Sequence, residues 1–204
     1  MTAPAPVPAL ARRAALALIA LALTDLPARA LDWTATEQTV HYAIDGSTGM
    51  ALYRSIGQNG PVVSLRRAIA LTEYELLWGR DYVPDGAACR LAEVRPFLTI
   101  TYRLPRPRAA LDGATGTKWA TFIAGITAHE HVHGALMRGM VDDIIGETLG
   151  LVVEADPGCQ KIRAEVERRV IAAHARYKAK NRAFEQSEMA PGGNVQRLVL
   201  GLVR

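Results

Sequence analysis

Residues 129–133 read His-Glu-His-Val-His, and within them His129, Glu130 and His133 satisfy the pattern His-Glu-x-x-His. A spacing of four places His129 and His133 one turn apart on the same face of a helix, where two imidazole nitrogens can reach one Zn²⁺. Glu130 is offset from both and faces a zinc-activated water rather than the metal. In that chemistry the metal is a Lewis acid, and the glutamate takes the water's proton and later delivers it to the leaving amine. With five His in 204 residues, the pattern arises by chance with a probability under about one percent.

The surrounding residues predict a helix. Trp119, Phe122, Ile123 and Ile126 precede the motif, and Met137, Met140, Val141, Ile144, Ile145 and Leu149 follow it, at helical spacing. Thr117 is the expected start, and the pattern fades near Val153. The motif lies on the stripe that otherwise faces the core, where an uncompensated carboxylate is costly, and a metal resolves that conflict. His131 is two positions from either histidine and points elsewhere. Gly125, Gly134, Gly139, Gly146 and Gly150 each cost about 1 kcal/mol relative to alanine in a helix interior, so close packing of the sheet or of a second helix is the expected compensation.

A catalytic zinc needs a third protein ligand. The metzincin pattern fails, because Gly139 stands where its third histidine belongs. Asp156-Pro157 predicts the start of a second helix carrying Ile162, Val166, Val170, Ala173 and Tyr177 and running to about Phe184. A short connection makes the two helices antiparallel, with opposed residues whose numbers sum to about 310. The motif then faces Tyr177 to Asn181, with Glu185 about a turn beyond and His174 about a turn before. Glu185 is the preferred ligand, Glu188 lies near the same face, and His174 gives an all-histidine alternative.

The elements before this pair read as a small, mostly antiparallel sheet with one helix. Glu37 to Ile44 alternates as a strand and ends at Asp45-Gly46. Ser47 or Thr48 caps a short helix through Ile56, closed by Gly57. Ala70 to Trp78 is rich in strand formers, and Glu93 to Leu104 alternates before Pro105 and Pro107.

Arg12 and Arg13, the apolar run Ala14 to Leu23 and the small-x-small site Ala28-Arg29-Ala30 have the order of a secretory signal peptide, assigned to residues 1–30. The run is too short for a spanning helix. Its removal leaves 21 basic against 19 acidic side chains. No Lys/Arg block of the length of a nucleic-acid arm is present, so DNA and RNA are set aside as partners. Both cysteines, Cys89 and Cys159, lie after the signal, and an even count in an exported chain favours a disulfide. Residues 31–190 are read as one domain, and 191–204 as a tail whose apolar end docks as an edge strand or stays free.

From about Tyr42 to Glu188 the chain resembles a bacterial family of uncharacterised domains described as predicted secreted zinc-dependent proteases. The resemblance runs through Tyr42 to Thr48, Cys89, Leu104-Pro105, Trp119, the His129–His133 motif, Cys159 and a closing Phe184-Glu185. It implies an acidic ligand at the last position, in support of Glu185. The closing segment departs from the family pattern at Glu188 and Ala190.

The resulting expectation is an α+β, zincin-like fold in which a sheet packs on a helical hairpin, giving a periplasmic or secreted zinc metallopeptidase. Its partner is a peptide or protein substrate, and the mature chain has no stable membrane insertion. The alternative is a non-catalytic zinc-containing binding module, with a structural metal closed by a fourth ligand. By analogy with zincins, Phe97 to Tyr102 is expected to border the substrate cleft as a free sheet edge.

Overall fold

A computed structural model describes residues 33–204, so the signal peptide expected over 1–30 lies outside the described residues. The fold is α+β. Its sheet is built from β1 (Thr36–Ile44), β4 (Leu71–Asp85), β5 (Ala88–Pro107) and the short β6 (Val152–Val153). The helices are α1 (Gly49–Asn59), α2 (Gly113–Thr148), α3 (Gln160–Met189) and α4 (Asn194–Val203), and a two-stranded turn pairs β2 (Val62–Val63) with β3 (Arg66–Arg67).

The strand order is β1-β5-β4, with β5 antiparallel to β4 and β6 but parallel to β1. This corrects the expected sheet edge. Thr99 to Tyr102 pair with β1 on one side and with β4 on the other, so the segment Phe97 to Tyr102 belongs to the central strand. Among the described strands, β1 and β4 are terminal in this order, and each leaves one edge without a strand partner. β5 also continues past Pro105 to Pro107, beyond the end of its β4 pairing at Arg103. A proline is tolerated where a strand has lost one neighbour.

Alternation along β4 determines what meets the helices. Tyr74, Leu76 and Trp78 pack over Met140, Ile144 and Ala173, which joins β4 to α2 and α3. Thr72 is in phase with them and points the same way. A second cluster gathers Ile44, Leu52, Ile56, Leu104, Phe122 and Leu202. Leu202 belongs to α4. The segment expected as a tail or edge strand is therefore a helix whose apolar side, with Val195 and Leu202 buried, closes this core.

Two capping expectations shift by a few residues. Thr48 is the cap of α1, its Oγ1 accepting from the Ala51 N–H at 3.2 Å, but the helix runs past Gly57 to Asn59. Asp156 caps α3 from outside. Its carboxylate accepts from the N–H groups of Gln160 and Ile162, each at 2.9 Å, while Cys159 takes a left-handed conformation just before the helix. Residues 149–159 between α2 and α3 thus form a longer connection than expected. It pairs through β6 with Cys89 and Arg90 of β5, and a Cys89–Cys159 disulfide ties it to the same strand.

The glycines of α2 divide into two groups. A Cβ at Gly134 would lie 2.2 Å from the Tyr102 hydroxyl, and one at Gly125 would lie 2.5 Å from Leu198, so both permit close approach. Gly139 and Gly146 have open space, and close packing does not account for them. Gly150 lies beyond the helix, in a left-handed turn.

Candidate metal centre

Contacts between α2 and α3 run in reversed order. Lys180 pairs with Asp143 and Arg176 with Glu147, while Asn181 meets His133 and Glu185 and Glu188 meet His129. Because the connection is longer than expected, Glu185 stands directly beside the two histidines instead of a turn beyond them. Their sequence spacing supplies the other half of the arrangement, a shared helix face.

The His129 and His133 Nε2 atoms are 3.1 Å apart, and Glu185 Oε1 lies 3.5 Å from the first and 2.9 Å from the second. Donors about 2.0–2.1 Å from a tetrahedral ion are about 3.3 Å from one another, so the three separations match such an ion. The opposite ring nitrogens are also engaged. His133 Nδ1 meets Asn181 Oδ1 at 2.7 Å, and His129 Nδ1 meets Glu188 Oε2 at 3.3 Å. With protons on the Nδ1 atoms, both Nε2 lone pairs converge on one point together with a carboxylate oxygen. A cation relieves that repulsion. His129, His133 and Glu185 therefore form a group that could hold a metal ion. Glu188 lies behind His129 as its hydrogen-bond partner, and His174 is not in the group.

Burial and partners set the electrostatics. His129 and His133 are 7% and 6% exposed. Burial pulls their pKa down, but hydrogen bonds to Glu185 and nearby carboxylates outweigh it and leave both raised in the metal-free protein. The same bonds hold Glu185 down at about 2. Glu130 is 5% exposed, and burial raises its pKa despite an opposing hydrogen bond from Thr72. The Thr72 hydroxyl donates to Glu130 Oε2 at 2.5 Å. This leaves the other carboxylate oxygen of Glu130 free of Thr72.

Glu130, His133 and Glu185 line a cavity of about 560 Å³ whose wall also includes Thr72, Met137 and Tyr177. A second cavity of about 220 Å³ reaches His129, Glu130 and Glu185 from the side of Tyr53 and Val195. Phe184 stacks on the His129 ring at 4.8 Å and meets His133 edge-on at 5.2 Å, shielding the imidazoles. His131 turns away, as its position implied, and packs against Tyr102.

Sequence reasoning overlooked Thr72, the positioning role of Asn181 and the stacking of Phe184. A signal existed for Thr72: it shares the phase of Tyr74 and Leu76 in the alternation of β4. Asn181 lay in the segment expected to face the motif, but only the contact assigns its partner.

No curated protein and no solved structure matches this chain. A family model does match, over residues 39–193. That span covers the sheet except the first three residues of β1, together with the motif helix and all of α3, and on it the chain belongs to the bacterial family of proteins of unknown function DUF922.

Proposed function

We propose that this protein is a zinc metallopeptidase of the zincin type, in which α2 and α3 act as a helical hairpin that carries the ligands. The observation that carries the reading is the convergence of two Nε2 atoms and one carboxylate oxygen at tetrahedral spacing, beside a buried Glu130 that lines the same cavity. The His₂Glu donor set is that of catalytic zinc peptidase sites, and three protein donors leave a coordination position open. Three donors among the described residues favour catalysis over a closed structural site.

Zn²⁺ bound to these residues supplies Lewis acidity toward a water molecule and a substrate carbonyl. Glu130 is the general base. One of its oxygens is held by Thr72, and the other accepts the proton of the attacking water as the new C–O bond forms. The protonated carboxyl then gives that proton to the amide nitrogen as the C–N bond breaks, which restores Glu130 and releases an acid and an amine. In the metal-free protein, burial raises the Glu130 pKa. Among the described residues the outer edge of β4, next to Thr72, has no strand partner and offers backbone N–H and C=O groups to an extended peptide.

Export to the periplasm or beyond belongs to the same reading. A disulfide such as Cys89–Cys159 persists in oxidising compartments, and the N-terminal sequence has the order of a signal peptide. No helix among the described residues is long and apolar enough to cross a membrane.

The test is cleavage of a mixed-sequence peptide library by the zinc-loaded protein. Hydrolysis that disappears on chelation and returns with Zn²⁺ is the expected result. A library left intact by fully zinc-loaded protein would remove the peptidase reading.

A further inference from the structure

We infer that the cavity beside the metal group takes peptides carrying an acidic side chain next to an apolar one, and that Arg66 reads the acidic charge; this rests on the peptidase reading and names its substrate class. The β2–β3 turn reaches the same 560 Å³ cavity as Glu130 and His133. In that turn Val63 stands directly across from Arg66, and both line the cavity, so a cation and an apolar surface are presented together. Arg67 lines it as well but is anchored, its Nη1 donating to the Gly60 carbonyl at 2.6 Å.

The charges around the cavity leave these arginines unbalanced. Its two carboxylates are Glu130 and Glu185, the first bonded to Thr72 and the second shared by His129 and His133. Among the described residues, neither Arg66 nor Arg67 forms an ion pair. A guanidinium presents a planar fork of donors that matches a carboxylate. Met137, Tyr177 and Met189 line the same cavity and suit a neighbouring apolar residue. Leu65, at the tip of the turn, is 99% exposed, and Arg66 is itself exposed, so its replacement leaves the core unaltered.

The test uses zinc-loaded Glu130→Gln protein, which leaves peptides intact, and two fluorescein-labelled peptide pools on one apolar framework, one bearing Glu and the other Lys. Fluorescence anisotropy should give tighter binding of the Glu pool by about two- to fivefold, the size of an exposed charge pair. Adding Arg66→Glu should reverse the order while the zinc content stays the same. Equal affinity for the two pools, or a preference that survives Arg66→Glu, overturns the inference. Cleavage of both pools at equal rates by the wild type overturns it too and leaves the peptidase reading standing. Charge-selective binding that Arg66→Glu reverses, with no cleavage by the wild type, overturns the peptidase reading and supports charge recognition.

Discussion

Glu188 Oε2 lies 3.3 Å from Nδ1 of His129, the ring nitrogen turned away from His133, and the Asn194 side-chain amide donates to the same oxygen at 3.1 Å. A residue at the start of α4 is thereby linked through Glu188 to a ring of the group that could hold a metal ion. Asn181 performs the corresponding task for His133. Such partners fix the tautomer and the aim of an imidazole, and their loss typically costs 10- to 100-fold in metal affinity.

Asn181→Ala and Glu188→Gln should therefore weaken zinc binding by about 10- to 100-fold without abolishing it. Glu185→Ala should weaken it further, and His174→Ala should leave it unchanged. Competition against a chromophoric chelator measures all four. Affinity lost in His174→Ala and kept in Glu185→Ala would reassign the third ligand.

Gly134 supplies a packing prediction. A methyl group there would press on the Tyr102 hydroxyl, which donates to Glu37, so Gly134→Ala should destabilise the protein by about 1–3 kcal/mol. Introducing Tyr102→Phe into that variant should recover part of the loss. Gly139→Ala and Gly146→Ala meet nothing and should gain roughly 0.5–1 kcal/mol from helix propensity. Denaturant unfolding separates the cases, and equal effects at all three glycines would contradict the packing account.

The motif and the face it occupies were legible because helical periodicity is local. His129, Glu130 and His133 follow from spacing alone, and the α2 pattern from Trp119 to Ile145 identified their helix. The exact opposition of α2 and α3 was less accessible, since it depends on residues 149–159. There the short pairing of β6 with β5 occupies a longer connection, and sequence spacing carries no record of it, whereas the Cys89–Cys159 disulfide was legible in the even cysteine count. Strand order was hidden for the same reason. The alternation of β5 reads the same whether it has one neighbour or two, so Phe97 to Tyr102 could be taken for an edge. At the C-terminus, the apolar end Leu198 to Val203 suits a strand or a helix equally, and packing of Leu202 and Val195 into the cluster with Ile44 and Phe122 selects the helix.

The Cys89–Cys159 bond spans 70 positions of sequence. Closing a loop of that size stabilises the fold by about 4 kcal/mol on the chain-entropy model. Replacing both cysteines with serine should lower the urea midpoint accordingly, and the unreduced wild type should show no titratable thiol. An unchanged midpoint would mean that β6 pairing alone holds the connection.

Asp156 gives a pH dependence with a definite sign. Burial raises its pKa, but the backbone N–H groups of Ile162, Lys161 and Gln160 outweigh that and leave it below the ordinary 3.8. A depressed carboxylate contributes stability that is present above its unfolded value and lost as the pH falls through the folded one. Asp156→Asn should therefore lower Tm at pH 7 and flatten its decline in acid. Parallel Tm curves for variant and wild type between pH 2 and 7 would contradict the capping role.

The most direct test of the metal site and its base is a paired measurement of zinc content and peptide turnover in wild type and Glu130→Gln. Glutamine keeps the shape of the side chain but cannot accept the water's proton. The account predicts one zinc per chain in both proteins and turnover reduced at least about 100-fold in the variant, the usual contribution of a positioned base. Equal turnover in the two zinc-loaded proteins would contradict it.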